Sequence, residues 1–413
     1  MTRFDAHRVF ADAPKANDYI HNISLDEETL AQLRKARDAV RDVLRNAVPN
    51  WSTHIRKEAL FEQRVALGTP PAVNRPKFRM QGSMAYDTLN QPARVPPQET
   101  DVDDGMFLPV SFFLNGGRLS PAVMSQGLFT LVEAALEPLC RQKKWTLDPS
   151  KASCVRVIIG DAAHVDVALY AVPDKDFQVL VEAAKTYNTD TYAADFAESV
   201  EIGEALYRKM PRDHIMLAHR TENWKPSDPR KLEDWFTDSV QKYGSQLRRV
   251  CRYLKAWRDE QWPSSRLSSI SLMRCVVGAY SSVGKDVPPS RDDLALLRVA
   301  ELLPEMLSKR IANPVVDGQF LDEGWRPEDR ADYVARSRVL LGHLQAALSA
   351  PGGATELLRT LAIPFGRRLP QDINLVRDES PAAGVVTSAA LVGLSSRAGA
   401  REAVQKQGGG RYA

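Results

Sequence analysis

Between residues 24 and 47 the apolar positions fall at helical spacing. Leu30, Leu33, Val40, Val43 and Leu44 recur three, four or seven apart, which places them on one stripe of an α-helix. Ser24 followed by Glu27 has the form of a capping box and sets the predicted start. Pro49, Pro70, Pro71 and Pro76 then break the periodicity. Residues 78–110 read as a turn-rich stretch followed by a short strand. Residues 123–143 read as a helix with Leu128, Val132, Ala135 and Leu139 on one face. The period then drops to two. Val155, Val157 and Ile159 alternate, and His164, Asp166 and Ala168 alternate with Val165, Val167 and Leu169. That pattern predicts two strands joined by a tight turn at Gly160-Asp161. From about residue 228 the pattern is helical throughout. Asp228-Pro229 supplies an N-cap and a proline at the first helical position. Trp235, Phe236, Val240, Tyr243, Leu247, Val250, Leu254 and Trp257 mark one long amphipathic helix. Further helices are predicted near 267–283, 291–308, 327–348 and 354–361. Small and polar residues dominate beyond Pro370, so residues 371–413 are expected to form a flexible tail that does not pack on the core. No internal repeat is visible. The fold class is α+β, a mixed α/β half followed by a helical half.

Composition narrows this picture. A chain of 413 residues with 44% hydrophobic content can bury a core and suggests two lobes. Its 55 basic and 52 acidic residues nearly cancel, which argues against a general nucleic-acid coat and against an obligatory nucleic-acid partner. Cys140, Cys154, Cys251 and Cys275 lie far apart without CxxC pairing, so neither a zinc site nor a disulfide framework is indicated. Residues 1–22 lack an apolar h-region, and no stretch approaches the ~20 apolar residues of a membrane span. The expectation is a soluble, unprocessed, cytoplasmic protein.

The chemistry concentrates at Asp101-Val102-Asp103. Residues two apart on a strand project to the same face, so both carboxylates point one way. Like charges held together are costly unless a cation sits between them. Magnesium suits the site, because it prefers oxygen ligands and leaves room for substrate phosphates. Asp166 supplies a third carboxylate from the later strand pair. Three carboxylates on adjacent strands can hold two ions about 4 Å apart for in-line phosphoryl transfer. Upstream, Gln81-Gly82-Ser83 forms a turn whose backbone N–H groups and hydroxyl can meet a phosphate. Taken singly, a DxD is commonly solvated surface and a Gly-Ser pair is commonly just a turn. Their order, with the DxD eighteen residues after Ser83 and a lone Asp on a later strand, is what points to catalysis. Lys255 shares its helix with Lys242, Arg248, Arg249, Arg252 and Arg258, which on composition alone reads as a solvated basic face. His164, on the same face as Asp166, reads as a structural histidine, with a role supporting the carboxylates as the alternative; Glu99 and Asp104 flank the DxD as exposed or supporting groups, and Trp235, Tyr243 and Trp257 read as core.

The pattern resembles the polymerase-β-like nucleotidyltransferases. Gln81-Gly82-Ser83-Met84-Ala85-Tyr86-Asp87-Thr88-Leu89-Asn90, followed by Gln98-Glu99-Thr100-Asp101-Val102-Asp103-Asp104-Gly105, is similar to the bacterial cGAS/DncV-like nucleotidyltransferases, the CD-NTases. The similarity continues through His164-Val165-Asp166-Val167, Tyr170-Ala171-Val172-Pro173, Ser227-Asp228-Pro229 and Glu233-Asp234-Trp235-Phe236. It resumes at Arg252-Tyr253-Leu254-Lys255-Ala256-Trp257-Arg258-Asp259 and at Ser268-Ser269-Ile270-Ser271-Leu272-Met273. It spans roughly residues 24–370 and points to the DncV type, the 3′,3′-cyclic GMP-AMP synthases.

The resemblance implies a polymerase-β-like catalytic lobe over residues 1–220, a helical lobe over 221–370 and a tail over 371–413. It implies ATP and GTP as substrates, joined into cyclic GMP-AMP by two Mg2+ ions, with Mn2+ able to substitute and a 3′,2′ linkage as the alternative product. Asp101, Asp103 and Asp166 match the metal-binding catalytic residues. Gln81, Gly82 and Ser83 match the turn that grips the donor triphosphate, and Tyr86 a neighbouring nucleotide contact. Lys255 and Ser269 match phosphate-holding residues, Ser227 a base contact, and Arg156 a strand arginine near the site. Asp317 matches a base-reading acid only loosely. The resemblance further implies a monomer that serves antiphage (CBASS) defence through a cyclic-dinucleotide effector. A ubiquitin-ligase-like partner would conjugate it at the C-terminal Ala413. Two departures stand out. The segment before Gln81 is short for the DncV type, which bears on a regulatory pocket, and residues 309–330 diverge, which bears on base selection. The competing functions are a non-cyclising nucleotidyltransferase and an inactive nucleotide-binding scaffold.

Overall fold

The computed structural model describes residues 4–50, 75–109, 121–173, 175, 215–221, 223–283 and 288–379. After β1 (Phe4–Asp5), α1 (His7–Phe10) and α2 (Tyr19–Asn22), the helix α3 (Glu27–Ala47) leads into the catalytic half. That half contains β2 (Lys77–Met80), the single turn α4 (Gly82–Ala85), β3 (Thr100–Pro109), α5 (Pro121–Lys143), β4 (Thr146–Asp148), β5 (Cys154–Ile158), β6 (Ala163–Val172), β7 (Met216–His219) and β8 (Asn223–Pro226). The helical half contains α6 (Pro229–Tyr243), α7 (Ser245–Gln261), α8 (Ser269–Val283), α9 (Asp292–Ser308), α10 (Pro327–Leu348) and α11 (Ala354–Phe365), and ends in β9 (Arg377–Asp378).

Among the described residues the strands form a mixed sheet in the order β2-β3-β6-β5-β4, with β7 on the C-terminal end of β6 and β8 beside it. β3 and β6 run parallel, Asp101 opposite His164 and Asp103 opposite Asp166. The period-two alternation then sorts the two faces. Val102, Met106, Leu108, Val165, Val167 and Leu169 pack with Leu33, Val40 and Leu44 of α3 and Leu128, Val132 and Leu136 of α5. Asp101, Asp103, Phe107, His164, Asp166 and Tyr170 take the opposite face, where the Phe107 and Tyr170 rings stack at 4.8 Å. The predicted hairpin of β5 and β6 and the helices from 267 to 361 are found as expected.

Five expectations change. The N-cap of α3 is Asp26, whose carboxylate accepts from the Thr29 N–H. Ser24 is engaged elsewhere, donating to Ile20 O and accepting from Arg252. The strand carrying the DxD is ten residues long rather than short. The long helix from 228 is two helices, because Gly244 takes φ +92 between α6 and α7; a left-handed conformation of this kind cannot continue an α-helix. The N-terminal segment does not belong with the catalytic lobe. Phe4, Val9, Phe10, Tyr19 and Ile23 are buried in the core of the helical half, Phe10 against Tyr253 and Phe365. Finally, the chain packs as far as Glu379: Leu375 is buried, β9 pairs with β1, and Glu379 meets Arg291. The remainder of the predicted tail, residues 380–413, lies outside the described residues. Among the described residues no helix is long and apolar enough to cross a membrane.

Candidate active site

The turn after β2 is fastened directly to the DxD strand, the Gln81 N–H donating to Asp103 O at 3.0 Å. Gly82 takes φ +62, and a Cβ there would lie 1.8 Å from Asp103 Oδ2. Only glycine lets the backbone come so close to that carboxylate. A second fastening joins the lobes. The segment between the turn and β3 lies along α7: Lys255 Nζ donates to Thr88 O at 2.5 Å, Asn90 Nδ2 to Arg252 O at 2.8 Å, and Gln98 Nε2 to the carbonyls of Asp259 and Trp262. Between the halves opens a cavity of about 490 Å³, within the usual range for a small-molecule site.

Gly82, Ser83, Tyr86, Asp101, Asp103, Arg156, Lys255 and Ser269 all line this cavity. Asp166 is buried behind Arg156, which holds both its carboxylate oxygens, at 2.7 and 2.6 Å. Ser269 Oγ accepts from Arg258. Three expected contacts are absent from the lining. The Gln81 side chain turns aside, its Oε1 accepting from Tyr170 and its Nε2 standing over Gly105. Ser227 donates its N–H to Ile215 O just ahead of the Asp228 cap. Asp317 sits exposed on a turn beside Gly318. Ser227 and Asp317 do not line this cavity. Ala413 lies outside the described residues.

For two groups the structure decides between the readings left open by the sequence. Asp104 is fully buried on the helix-facing side of β3, clamped by Arg41 of α3 at 2.6 and 2.5 Å. His164, also buried, receives Glu99 at Nδ1 (2.6 Å) and brings Nε2 to 2.9 Å from Asp101 Oδ1 and 4.0 Å from Asp166 Oδ2. Period two had placed His164 on the Asp166 face, but its pairing with Glu99 joins two distant segments and leaves no local pattern.

The charges at the site are frustrated. Burial first, then the charges of Asp101 and Asp166, push the Asp103 carboxyl up to about 7. Burial alone would lower the His164 imidazole, but Asp101 raises it above its ordinary value. Burial, reinforced by Arg258, brings the Lys255 ammonium down to about 8, which leaves it cationic at neutral pH. Asp101 Oδ1 is buried without a hydrogen-bond partner. An orphaned acceptor among three carboxylates is the arrangement a divalent cation satisfies.

The Asp103 shift fixes a sign. An acid whose folded value lies above its unfolded value binds more protons when folded, so its contribution to stability is present below about pH 4 and lost as pH rises to about 7. In chelator-treated protein, Asp103→Asn is thus expected to gain stability over the parent as pH increases across that window. Thermal unfolding at stepped pH checks this; parallel curves would contradict it.

A parallel pair of strands presenting carboxylates to a cleft, with a Gly-Ser turn above them and a helical lobe closing the far side, is the architecture of a nucleotidyltransferase, and the chain is an enzyme of that class. It belongs to the DncV-like CD-NTases, a family of cyclic dinucleotide synthases. Residues 76–170 match the cyclic GMP-AMP synthase DncV-like nucleotidyltransferase domain, and residues 244–378 match the cyclic GMP-AMP synthase C-terminal domain. The chain is 30% identical over 303 residues to a cyclic GMP-AMP synthase of Vibrio cholerae, covering 71% of this chain and 68% of that protein. It is 34% identical over 302 residues to one of Escherichia coli, with the same coverages of 71% and 68%. The crystal structure of the Vibrio cholerae DncV cyclic AMP-GMP synthase with the linear intermediate 5′ pppA(3′,5′)pG superposes with a TM-score of 0.74 at 25% identity, covering 92% of this chain and 100% of that one.

Proposed function

We propose that this enzyme joins ATP and GTP into cyclic GMP-AMP with 3′,3′ linkages. One observation carries the reading: Asp101 and Asp103 line a single cavity together with Gly82, Ser83, Lys255 and Ser269. Asp101, Asp103 and Asp166 are the residues to hold divalent cations, two Mg2+ or, in their place, Mn2+. When bound, these supply charge neutralisation at the triphosphate and a more acidic attacking hydroxyl. The chain's own groups do the rest. Gly82 and Ser83 take the donor triphosphate on one wall. Lys255, still fixed to Thr88, and Ser269 meet it from the other. Tyr86, beside Phe236 at a ring distance of 6.0 Å, flanks the nucleotide. Arg156 holds Asp166 oriented and charge-balanced.

The same cavity serves both bonds: a linear dinucleotide forms, turns over and is closed. The Vibrio cholerae relative holding a linear pppA(3′,5′)pG supports this order. The discriminating experiment is incubation with labelled ATP and GTP. A phosphatase-resistant product is the expected result, and a phosphatase-sensitive product or a protein-linked nucleotide would overturn the reading.

We also place the enzyme in antiphage (CBASS) defence, with a cyclic-dinucleotide effector downstream and conjugation through Ala413. The described chain ends at Glu379 beside β1, with 34 residues still to follow. Deleting the last few residues is expected to leave purified synthesis unchanged, because among the described residues those lining the cavity run from Gly82 to Met273 and include every carboxylate and phosphate-facing group assigned a role at its wall. The same deletion should abolish conjugation by a ubiquitin-ligase-like partner. Conjugates on the truncated chain, seen by mass spectrometry, would place the attachment elsewhere.

A further inference from the structure

His164 stands where a ligand would stand. Its side chain is 6% exposed and lines the cavity. Glu99 lies 2.6 Å from Nδ1. A carboxylate only accepts, so the Nδ1 proton is committed to Glu99, and in the neutral ring the Nε2 lone pair is left pointing away from it. At that end both Nε2 and Asp101 Oδ1 are buried without hydrogen-bond partners. They lie 2.9 Å apart, a distance at which a lone pair and a carboxylate oxygen need a proton or a cation between them.

The spacing suits the cation. On an octahedral cation with bonds of about 2.1 Å, neighbouring ligands lie about 3 Å apart and opposite ones about 4.2 Å. Nε2 is 2.9 Å from Asp101 Oδ1 and 4.0 Å from Asp166 Oδ2, and donor atoms of all three residues lie within 4.8 Å of one another. A carboxylate oriented on the far nitrogen of the ring is the usual support for a metal-bound histidine.

We propose that His164 is a nitrogen ligand to one of the cations, held in that role by Glu99, and that the site therefore favours Mn2+ and Co2+ over Mg2+ more than three carboxylates alone would. This rests on the reading of Asp101, Asp103 and Asp166 as a divalent-cation site. An imidazole adds affinity for first-row transition metals and little for Mg2+, so the nitrogen shifts the balance between ions without excluding either.

The test is spectroscopic, on the full chain without nucleotide. Mn2+ is titrated in and followed by electron paramagnetic resonance, and the bound ion is then examined by electron spin echo envelope modulation. The expected wild-type result is nitrogen modulation from one imidazole. His164→Gln should lose the modulation and bind Mn2+ roughly tenfold to a hundredfold more weakly; Glu99→Gln should keep the modulation and weaken binding by about tenfold. The Mg2+ excess needed to displace Mn2+ should fall in His164→Gln. Bound Mn2+ without nitrogen modulation in the wild type, or modulation that persists in His164→Gln, would overturn the proposal while leaving the carboxylate site intact. A wild type that takes up no Mn2+, with or without ATP, would instead defeat the cation-site reading itself. Should His164→Gln fail to fold, the wild-type spectrum and Glu99→Gln decide the matter.

Discussion

Converting Asp101 and Asp103 together to Asn is expected to reduce dinucleotide synthesis by about 10³-fold or more, a loss of about 4 kcal/mol or more of transition-state stabilisation. The fold should survive. Asn preserves shape and hydrogen-bonding capacity, and although Asp101 lies 2.9 Å from His164 of β6, β3 and β6 are already joined by backbone pairing from Thr100 to Pro109. The change instead removes two of the three like charges that oppose one another on the face of β3 and β6. The thermal midpoint of the metal-free double variant should therefore equal or exceed that of the parent at neutral pH. Activity assays and thermal unfolding on one preparation check both halves. Retained synthesis would sink the mechanism. Lost synthesis with a collapsed midpoint would show that the carboxylates are structural.

Gly82→Ala is expected to produce the second largest effect. Its φ of +62 costs an L-residue about 1–2 kcal/mol. Its new methyl carbon would also fall 1.8 Å from Asp103 Oδ2. The turn is tied to the same residue through Gln81 N, so the strain moves either the carboxylate or the phosphate-facing backbone. A displacement near 1 Å at a reacting centre costs about 10²-fold. The expected outcome is a fall in kcat/KM of that order or more with only a modest loss of thermal stability. Near-parental kinetics would mean that the turn and the carboxylate do not need this close approach.

Much of this site was legible in the sequence because its signals are local. Period two set Asp101, Asp103, His164 and Asp166 on one face, and the parallel register of β3 and β6 brings the two pairs side by side. The helices of the C-terminal half were legible from their stripes. What escaped depends on contacts between distant segments or on single backbone angles. The apolar stripe through Val240, Tyr243, Leu247 and Val250 keeps its spacing across Gly244, so nothing in the pattern betrays the break there. Phe4, Val9 and Phe10 are too few to show a period, and their place in the helical core follows from partners at Tyr253 and Phe365. The pairing of β1 with β9, which orders the start of the tail, joins residues more than 370 apart. Gln81 was sought in the cavity because its neighbours are there, yet the N-cap position ahead of Gly82 directs its amide to Tyr170. Local motif similarity specifies the path of the backbone more firmly than the direction of each side chain.

The cleft, the carboxylates and the family converge on one claim, that this chain closes two nucleotides into a ring. The most direct test is mass spectrometry of the product formed from ATP and GTP with Mg2+, combined with digestion by a nuclease specific for 3′–5′ bonds. The expected result is a species with the mass of cyclic GMP-AMP, fully cut by that nuclease and preceded in time by a linear triphosphorylated dinucleotide. A product that stays linear at the end of the reaction, or no joined nucleotide at all, would contradict it.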